Sequence, residues 1–201
     1  MLVFFLLPPF LLLRFGLLAQ LDPSALGRAA RFAPMYGLER LAYWVYQLST
    51  AALFLLSFFC PVRAEGWPLI PGTLLYLSGL GLCALSLRDF ARPAPQGFCS
   101  GGVYLLSRNP MYLSYFLCFL GCALLFRSLI LLGVVLLFQV SAHWVILAEE
   151  RWCREQFGDA YRAYQKEVRR YLSLPRRKTP PQPALPHYVR TVQKSTLGRK
   201  Y

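Results

Sequence analysis

The feature that most constrains this chain is the arrangement of its apolar residues in long blocks. A helix needs about 20 mostly apolar residues to cross a bilayer, and its backbone groups must be hydrogen-bonded within the segment. Transmembrane β-strands would be about 10 residues long and alternate in polarity. Five blocks of helical length occur, at roughly residues 2–19, 41–60, 68–87, 109–126 and 128–148. They predict an all-α integral membrane protein with five transmembrane helices.

The composition excludes other classes of protein. Of the 201 residues, 56% are hydrophobic and only 15% are charged, whereas a soluble domain carries about 25% charged residues. Disordered chains and small disulfide scaffolds do not have this balance. The six cysteines include no C-x-x-C pair, so we predict no metal site and interpret them as small apolar fillers.

The net charge of +13 follows the connections between the blocks. Lys and Arg number three, one, three and one in the four successive connections and thirteen from residue 149 onward, and Arg14 lies within the first block. The positive-inside rule then predicts an outside N-terminus and a cytosolic C-terminus. A cleaved signal peptide over residues 1–20 is the alternative, which the internal Arg14 and the missing basic start disfavour. Because the charges follow topology, we predict no nucleic-acid partner, and a membrane that is either the bacterial inner membrane or the endoplasmic reticulum.

The third block and the C-terminal segment have distinct organisation. Gly72, Gly79 and Gly81 are expected to be points of close helix contact. Residues 149–157 should continue the fifth helix to a stop at Gly158, followed by an interfacial helix with Tyr161, Tyr164, Val168 and Tyr171 on one face. The predicted regions are three N-terminal helices (1–90), a catalytic core (91–172), and a basic, Pro-rich, disordered tail that contacts anionic lipid (173–201).

One polar cluster precedes the fourth block. Asn109 suits a helix N-cap and Pro110 the first helical position, which explains these two residues structurally. Arg108 and Tyr112 gather at the same helix start, where free N–H groups favour an anionic ligand group. The whole cluster reads Gly102-Val103-Tyr104, then Arg108-Asn109-Pro110-Met111-Tyr112.

A second polar cluster lies on the fifth block. At 100° per residue, Gln139, His143 and Glu150 fall within about 40° of one another. Interhelical hydrogen bonding is one interpretation of Gln139 and His143, and substrate contact is the other. The Glu149–Glu150 pair opposes the helix dipole at a C-terminal position and should need compensating partners. Since the last two helices form a hairpin, both clusters should meet in one pocket at the cytosolic membrane face.

These residues resemble the isoprenylcysteine carboxyl methyltransferase and phospholipid methyltransferase superfamily. The resemblance covers residues 95–172 and adds Phe157-Gly158-x-x-Tyr161-x-x-Tyr164 to the clusters above. It implies an integral-membrane enzyme that uses S-adenosylmethionine, without a Rossmann domain, and that methylates a lipid or lipidated acceptor. The cofactor site implied at matching positions comprises Gly102, Tyr104, Arg108, Asn109, Pro110, Met111, Tyr112 and a glutamate of the Glu149–Glu150 pair.

The sequence departs from the superfamily pattern at some positions, and it allows two alternatives to a methyltransferase. Residues 96–99 differ from the usual stretch before Gly-x-Tyr, and Val145 stands where eukaryotic carboxyl methyltransferases have an arginine. An NADPH-dependent steroid- or sterol-reductase-like enzyme would share an Arg-x-Pro-x-Tyr motif. A membrane scaffold with a vestigial pocket is the non-enzymatic alternative. No catalytic acid or base is assigned, because methyl transfer depends on positioning and desolvation.

Overall fold

A computed structural model describes residues 6–22, 27, 32–59, 66–92 and 97–173, with the side chain of residue 58 left out. The predicted tail beyond residue 173 and Gln96 lie outside the described residues. The helices are α1 (Leu7–Leu21), α2 (Leu38–Phe59), α3 (Leu69–Ala91), α4 (Pro110–Phe126) and α5 (Leu129–Glu167). A single 3₁₀ turn covers Gly102–Leu105, and the described residues contain no strand. The all-helical class is confirmed.

Residues Arg127 and Ser128 form the tight hairpin that the sequence predicts. Arg127 adopts a left-handed conformation with φ of 53°, which ends α4. The Ser128 side chain then accepts a hydrogen bond from the Leu131 N–H and caps α5. These two residues place the start of α4 and residue 149 of α5 at the same end of the bundle.

Close packing of α3 on α4 depends on glycine. A methyl group at Gly79 would lie 2.6 Å from both the backbone nitrogen and the sulfur of Cys118. At Gly72 it would lie 3.2 Å from the Gly121 carbonyl oxygen. Both glycines are contact points as predicted, but the prediction for Gly81 is wrong, since nothing lies within 4 Å of its position. Gly81 is on the face of α3 that turns away from α4.

The helices bury some apolar residues and expose many others. Val135 and Phe138 of α5 and Cys83 of α3 are completely buried in the core. Large apolar side chains cover the outer faces of the bundle, among them Leu48, Leu55, Ile70, Leu74, Leu129, Ile130 and Val140, each more than half exposed. Exposed apolar surface on this scale suits a lipid environment. Within the described chain, α3 and α5 are long and apolar enough to cross a membrane, and α1 and α4 are shorter apolar helices.

The helix α5 continues well past the apolar block and breaks where the sequence predicts. Gly158 has φ of 52° and ψ of −126°, a conformation that favours glycine. Beyond it, Tyr161, Tyr164 and Val168 pack against Phe98 inside the protein. The face predicted to meet the membrane interface is therefore used for internal packing, and lipid contact by this segment stays a prediction.

Candidate active site

A cavity of about 840 Å³ lies among the start of α4, the polar section of α5, and α1. This volume is within the range of small-molecule and cofactor sites. The aromatic walls include Tyr46, Tyr112, Tyr115, Trp152 and Phe157. Eight of the nine candidate cofactor-site residues line it, namely Tyr104, Arg108, Asn109, Pro110, Met111, Tyr112, Glu149 and Glu150. The structure thus brings the first polar cluster together with the glutamate pair of the second.

Glu150 is the centre of a buried ionic cluster. Its Oε1 accepts hydrogen bonds from Arg108 Nη2 at 2.8 Å and Arg170 Nε at 3.1 Å, and its Oε2 accepts from Arg170 Nη2 at 2.9 Å. Burial opposes ionisation of Glu150, but the hydrogen bonds and charges of Arg170 and Arg108 outweigh it and hold its pKa below the usual value. Glu150 is therefore held ionised between Arg108 and Arg170.

The same cluster connects the C-terminal segment to the start of α4. Arg108 Nη1 donates to the carbonyl oxygens of Val168 at 2.7 Å and Gln165 at 3.0 Å. Asn109 Nδ2 lies 3.4 Å from Glu150 Oε1 and 3.3 Å from the Arg170 carbonyl oxygen. Arg108 thus donates four hydrogen bonds to protein acceptors, which gives it a structural role at the edge of the cavity.

Glu149 lies one residue beyond the apolar 128–148 block and has different surroundings from Glu150. The Tyr112 hydroxyl donates a hydrogen bond to Glu149 Oε1 at 2.7 Å. The pKa of Glu149 is raised to about 7, because burial and the neighbouring charge of Glu150 raise it by more than the Tyr112 hydrogen bond lowers it. Among the described residues, Glu149 is paired with a hydroxyl and not with a cation. The expectation of compensating partners is confirmed for Glu150, which two arginines bind, whereas Glu149 has the Tyr112 hydroxyl as its partner.

The start of α4 has the predicted boundary with a different capping contact. Asn109 occupies the N-cap position and Pro110 the first helical position, but the Asn109 side chain makes no capping hydrogen bond. Its amide is directed to Glu150 instead, and the Ser107 hydroxyl accepts a hydrogen bond from the Asn109 N–H at 3.1 Å. The demand of the buried Glu150 carboxylate for donors explains this difference.

Gly102 lies outside the cavity lining and supports the loop behind it. Its φ is +59°, and a methyl group there would lie 1.9 Å from Asp89 Oδ2. This Asp89 oxygen accepts a hydrogen bond from the Val103 N–H at 2.9 Å. Gly102 therefore lets the 3₁₀ turn approach Asp89, and this turn carries Tyr104 to the cavity wall. The Tyr164 hydroxyl donates to the Tyr104 carbonyl oxygen at 2.6 Å and fixes the turn.

Comparisons with known proteins bear on the family to which the chain belongs. The sequence profile of the phospholipid methyltransferase family matches residues 72–160. The match begins in α3 and includes both polar clusters. The chain belongs to the phospholipid methyltransferase family. It is also 43% identical over 63 residues to an uncharacterised protein of Haemophilus influenzae, which corresponds to 31% of this chain and to the whole of that relative.

Two residues of the second polar cluster, on α5, lie away from the cavity of this phospholipid methyltransferase family member. His143 Nδ1 is 2.6 Å from the Tyr171 hydroxyl, and the two rings are stacked. Gln139 has a buried Oε1 without a hydrogen-bond partner in the part of the chain that the structure describes. Neither residue lines the cavity, so we leave both outside the proposed site.

Two residues of the candidate site are not indicated by the sequence of this methyltransferase-family chain. Arg14 of α1 lines the cavity, although α1 is distant from the motifs in sequence. Arg170 binds Glu150, although the sequence places it on the polar side of an interfacial helix. The signal for Arg14 was a charge within an apolar block, which is a functional indication by itself. The break at Gly158 folds the C-terminal segment back, and no local pattern predicts the Arg170 contact.

Proposed function

We propose that the protein is an S-adenosylmethionine-dependent methyltransferase that modifies a lipid or lipid-like amphiphilic acceptor at the cytosolic face of a membrane. One observation carries this proposal. The cavity contains a carboxylate from the region matched by the family profile, Glu149, that is free of cationic partners among the described residues. Such a group is suited to a cationic or polyhydroxylated cofactor in a water-poor site.

The residues of the cavity fit S-adenosylmethionine in size and chemistry. When bound, this cofactor supplies an electrophilic methyl group on a positively charged sulfur. The Glu149 carboxylate can oppose that charge or accept hydrogen bonds from the ribose hydroxyls. The first turn of α4, with Pro110, Met111 and Tyr112, lines the cavity, and backbone N–H groups of a first helical turn suit the amino-acid carboxylate.

Of the glutamate pair, Glu149 is the better candidate for the cofactor contact. Glu150 already accepts hydrogen bonds from two arginines, and Arg108 donates to Glu150 and to the carbonyl oxygens of Gln165 and Val168. Displacing either residue from this buried ion pair in favour of a ligand would cost several kcal/mol. Arg108 and Glu150 instead position the start of α4 relative to α5.

The chain's own groups contribute orientation and exclusion of water. Aromatic rings of Tyr46, Tyr112 and Tyr115 form one wall, with centroid separations of 6.0 Å for the first pair and 6.4 Å for the second. Rigid aromatic walls hold reactants in a fixed geometry and keep a polar reaction away from bulk water. No general base is assigned.

We further propose that the protein is a multi-pass membrane protein with the outside N-terminus and cytosolic C-terminus that its charge distribution predicts. The exposed apolar faces of α2, α3 and α5 support contact with lipid. In this orientation the start of α4 and residue 149 lie at the cytosolic surface, where a water-soluble cofactor and a lipid acceptor can both reach the cavity.

Methyl transfer tests the proposal directly. The full chain, purified in detergent, is incubated with methyl-labelled S-adenosylmethionine and a total lipid extract, beside Glu149→Gln and the exposed control Glu167→Gln. We expect labelled lipid from wild type and the control, and at least about a 10-fold loss with Glu149→Gln, as for loss of a charge-assisted contact. No labelled product from folded wild-type protein in lipid extracts of bacterial and endoplasmic-reticulum origin would contradict the proposal.

A further inference from the structure

Arg14 is a charged residue in the middle of an apolar helix that reaches the cavity. Its guanidinium carbon lies 4.6 Å from the centroid of the Tyr115 ring and 5.6 Å from that of Phe15. The side chains of Tyr46 and Tyr112 are also close to it. In the described chain, aromatic groups and not carboxylates therefore form the immediate surroundings of this guanidinium.

The glutamates of the cavity are committed to other partners, and the third acidic residue of the lining, Asp22, is not among the groups that act most strongly on Arg14. Glu149 accepts from the Tyr112 hydroxyl, and Glu150 is bound by Arg108 and Arg170. A guanidinium within a membrane-spanning segment is costly and usually faces a partner or a functional cavity. The cation–π contact with Tyr115 offsets a part of that cost. The remaining requirement is for an anion, and the cavity is the space from which one can reach Arg14.

The backbone around Arg14 supports a functional role. Residues Leu12–Leu17 are wound as a π-helical stretch inside α1. Such stretches are rare and often occur at functional sites. No proline lies within this π-helical stretch to explain its wider turn, because Pro8 and Pro9 are at the start of the helix.

We propose that Arg14 binds the anionic group of the methyl acceptor, a phosphate or a carboxylate at the head of a lipid-like chain. This inference rests on the proposed function and deepens it. The Glu149 carboxylate is hydrogen-bonded to the Tyr112 hydroxyl, whereas the Arg14 guanidinium lies over the Tyr115 ring. The two charged groups thus engage different aromatic side chains of the cavity, and we assign a cationic ligand group to Glu149 and an anionic one to Arg14. The planar guanidinium can hold either oxyanion by two hydrogen bonds.

Ligand-dependent thermal stabilisation of the full chain in a non-ionic detergent tests this assignment without relying on turnover. The probes are dodecyl phosphate, dodecanoate and the neutral dodecanol. We expect one or both anions, but not dodecanol, to raise the Tm of the wild type, and the more effective anion to identify the acceptor's headgroup. Arg14→Gln should lose this stabilisation, and the exposed matched variant Arg40→Gln should keep it.

Stabilisation by S-adenosylmethionine separates an acceptor site from a cofactor site. Arg14→Gln should keep the shift caused by S-adenosylmethionine, and its apparent affinity for the anionic probe should fall at least about 10-fold. Equal loss of both shifts, or an anion effect unchanged by Arg14→Gln, would overturn the assignment. If Arg14→Gln does not fold, Arg14→Lys keeps the charge without the planar fork and should bind the anion more weakly than wild type. Stabilisation of wild type by dodecanol as large as that by the anions would also overturn it.

Failure of the proposed function gives a different result from failure of this inference. An Arg14-dependent anion effect without methyl transfer to any lipid would refute the methyltransferase activity and keep the anion site. Methyl transfer to an acceptor without any anionic group, unaffected by Arg14→Gln, would refute the anion site and keep the activity.

Discussion

At the scale of residues, two consecutive glutamates of α5 have opposite electrostatic surroundings. Glu150 is held ionised by two arginines, whereas Glu149 is bonded to a neutral hydroxyl and its pKa is raised to about 7. The difference follows from helix geometry, since neighbouring residues point about 100° apart and contact different elements. One glutamate can therefore stabilise the fold while the other is available to a ligand.

Removing the charge of Glu150 should destabilise the protein. Glu150→Gln leaves Arg108, whose side chain is 9% exposed, without its carboxylate. Breaking one side of a buried ion pair typically costs about 3–5 kcal/mol, and we expect about 2–4 kcal/mol here because Arg170 is partly exposed to solvent. Thermal unfolding in detergent measures this loss. Glu167→Gln is the exposed control, and an equal Tm for the two variants would contradict the structural role of Glu150.

The raised pKa of Glu149 predicts a pH-dependent affinity for S-adenosylmethionine. The group's pKa in the folded protein, about 7, exceeds its ordinary value of 4.5, so the folded state loses stability as the pH rises between these values. A cationic ligand favours the ionised form, and binding should strengthen about 10-fold from pH 6 to pH 8. Calorimetry at several pH values measures it. Titration of the ligand itself affects its binding to wild type and to Glu149→Gln equally, so the difference between the two profiles of affinity against pH isolates Glu149. Parallel profiles would refute the prediction.

At the scale of elements, contact between α3 and α4 depends on the absence of side chains at a few positions. Gly79→Ala would place a methyl group 2.6 Å from the backbone of Cys118. We expect a loss of about 1–3 kcal/mol from this overpacking. Gly81→Ala on the same helix meets nothing within 4 Å and should be neutral or stabilising by up to about 1 kcal/mol. Thermal unfolding of the two variants compares them, and equal stabilities would contradict this packing.

Much of this architecture could be predicted from local sequence. The apolar blocks indicate the helices, Asn109-Pro110 indicates the start of α4, and Gly158 indicates the break in α5. The Asn109 side-chain contact could not be predicted, because its amide serves a carboxylate 41 residues away. The prediction for Gly81 is wrong because the sequence shows a cluster of glycines without showing which face of α3 meets α4.

The site residues that the sequence does not indicate come from segments far from the motifs in the chain. Arg170 returns to Glu150 after the break at Gly158, and Arg14 comes from the first helix. A further contact between distant segments connects α5 with the start of α2 and the residues before it, where Arg151 donates hydrogen bonds to Glu39 and to the Pro34 carbonyl oxygen. These pairs depend on how the helices pack, and hydrophobic pattern alone does not specify their partners.

At the scale of the whole molecule, the charge distribution predicts the orientation in the membrane. Green fluorescent protein fused after residue 201 should fluoresce, and alkaline phosphatase at the same site should be inactive, because the C-terminus is expected in the cytosol. Fusions after Arg127, in the α4–α5 turn, should give the reverse pattern. Active phosphatase after residue 201 would contradict the orientation and place the cavity mouth on the wrong side for a cytosolic cofactor.

The central claim is that the cavity binds S-adenosylmethionine through Glu149 and the start of α4. Calorimetric titration of the detergent-purified full chain with S-adenosylmethionine tests it most directly, beside Glu149→Gln, Asn109→Ala and the exposed control Glu167→Gln. We predict saturable binding by wild type and the control, and at least about a 10-fold weaker affinity for Glu149→Gln. Absence of binding by folded wild-type protein, with saturable binding of NADPH instead, would contradict the account and favour a reductase.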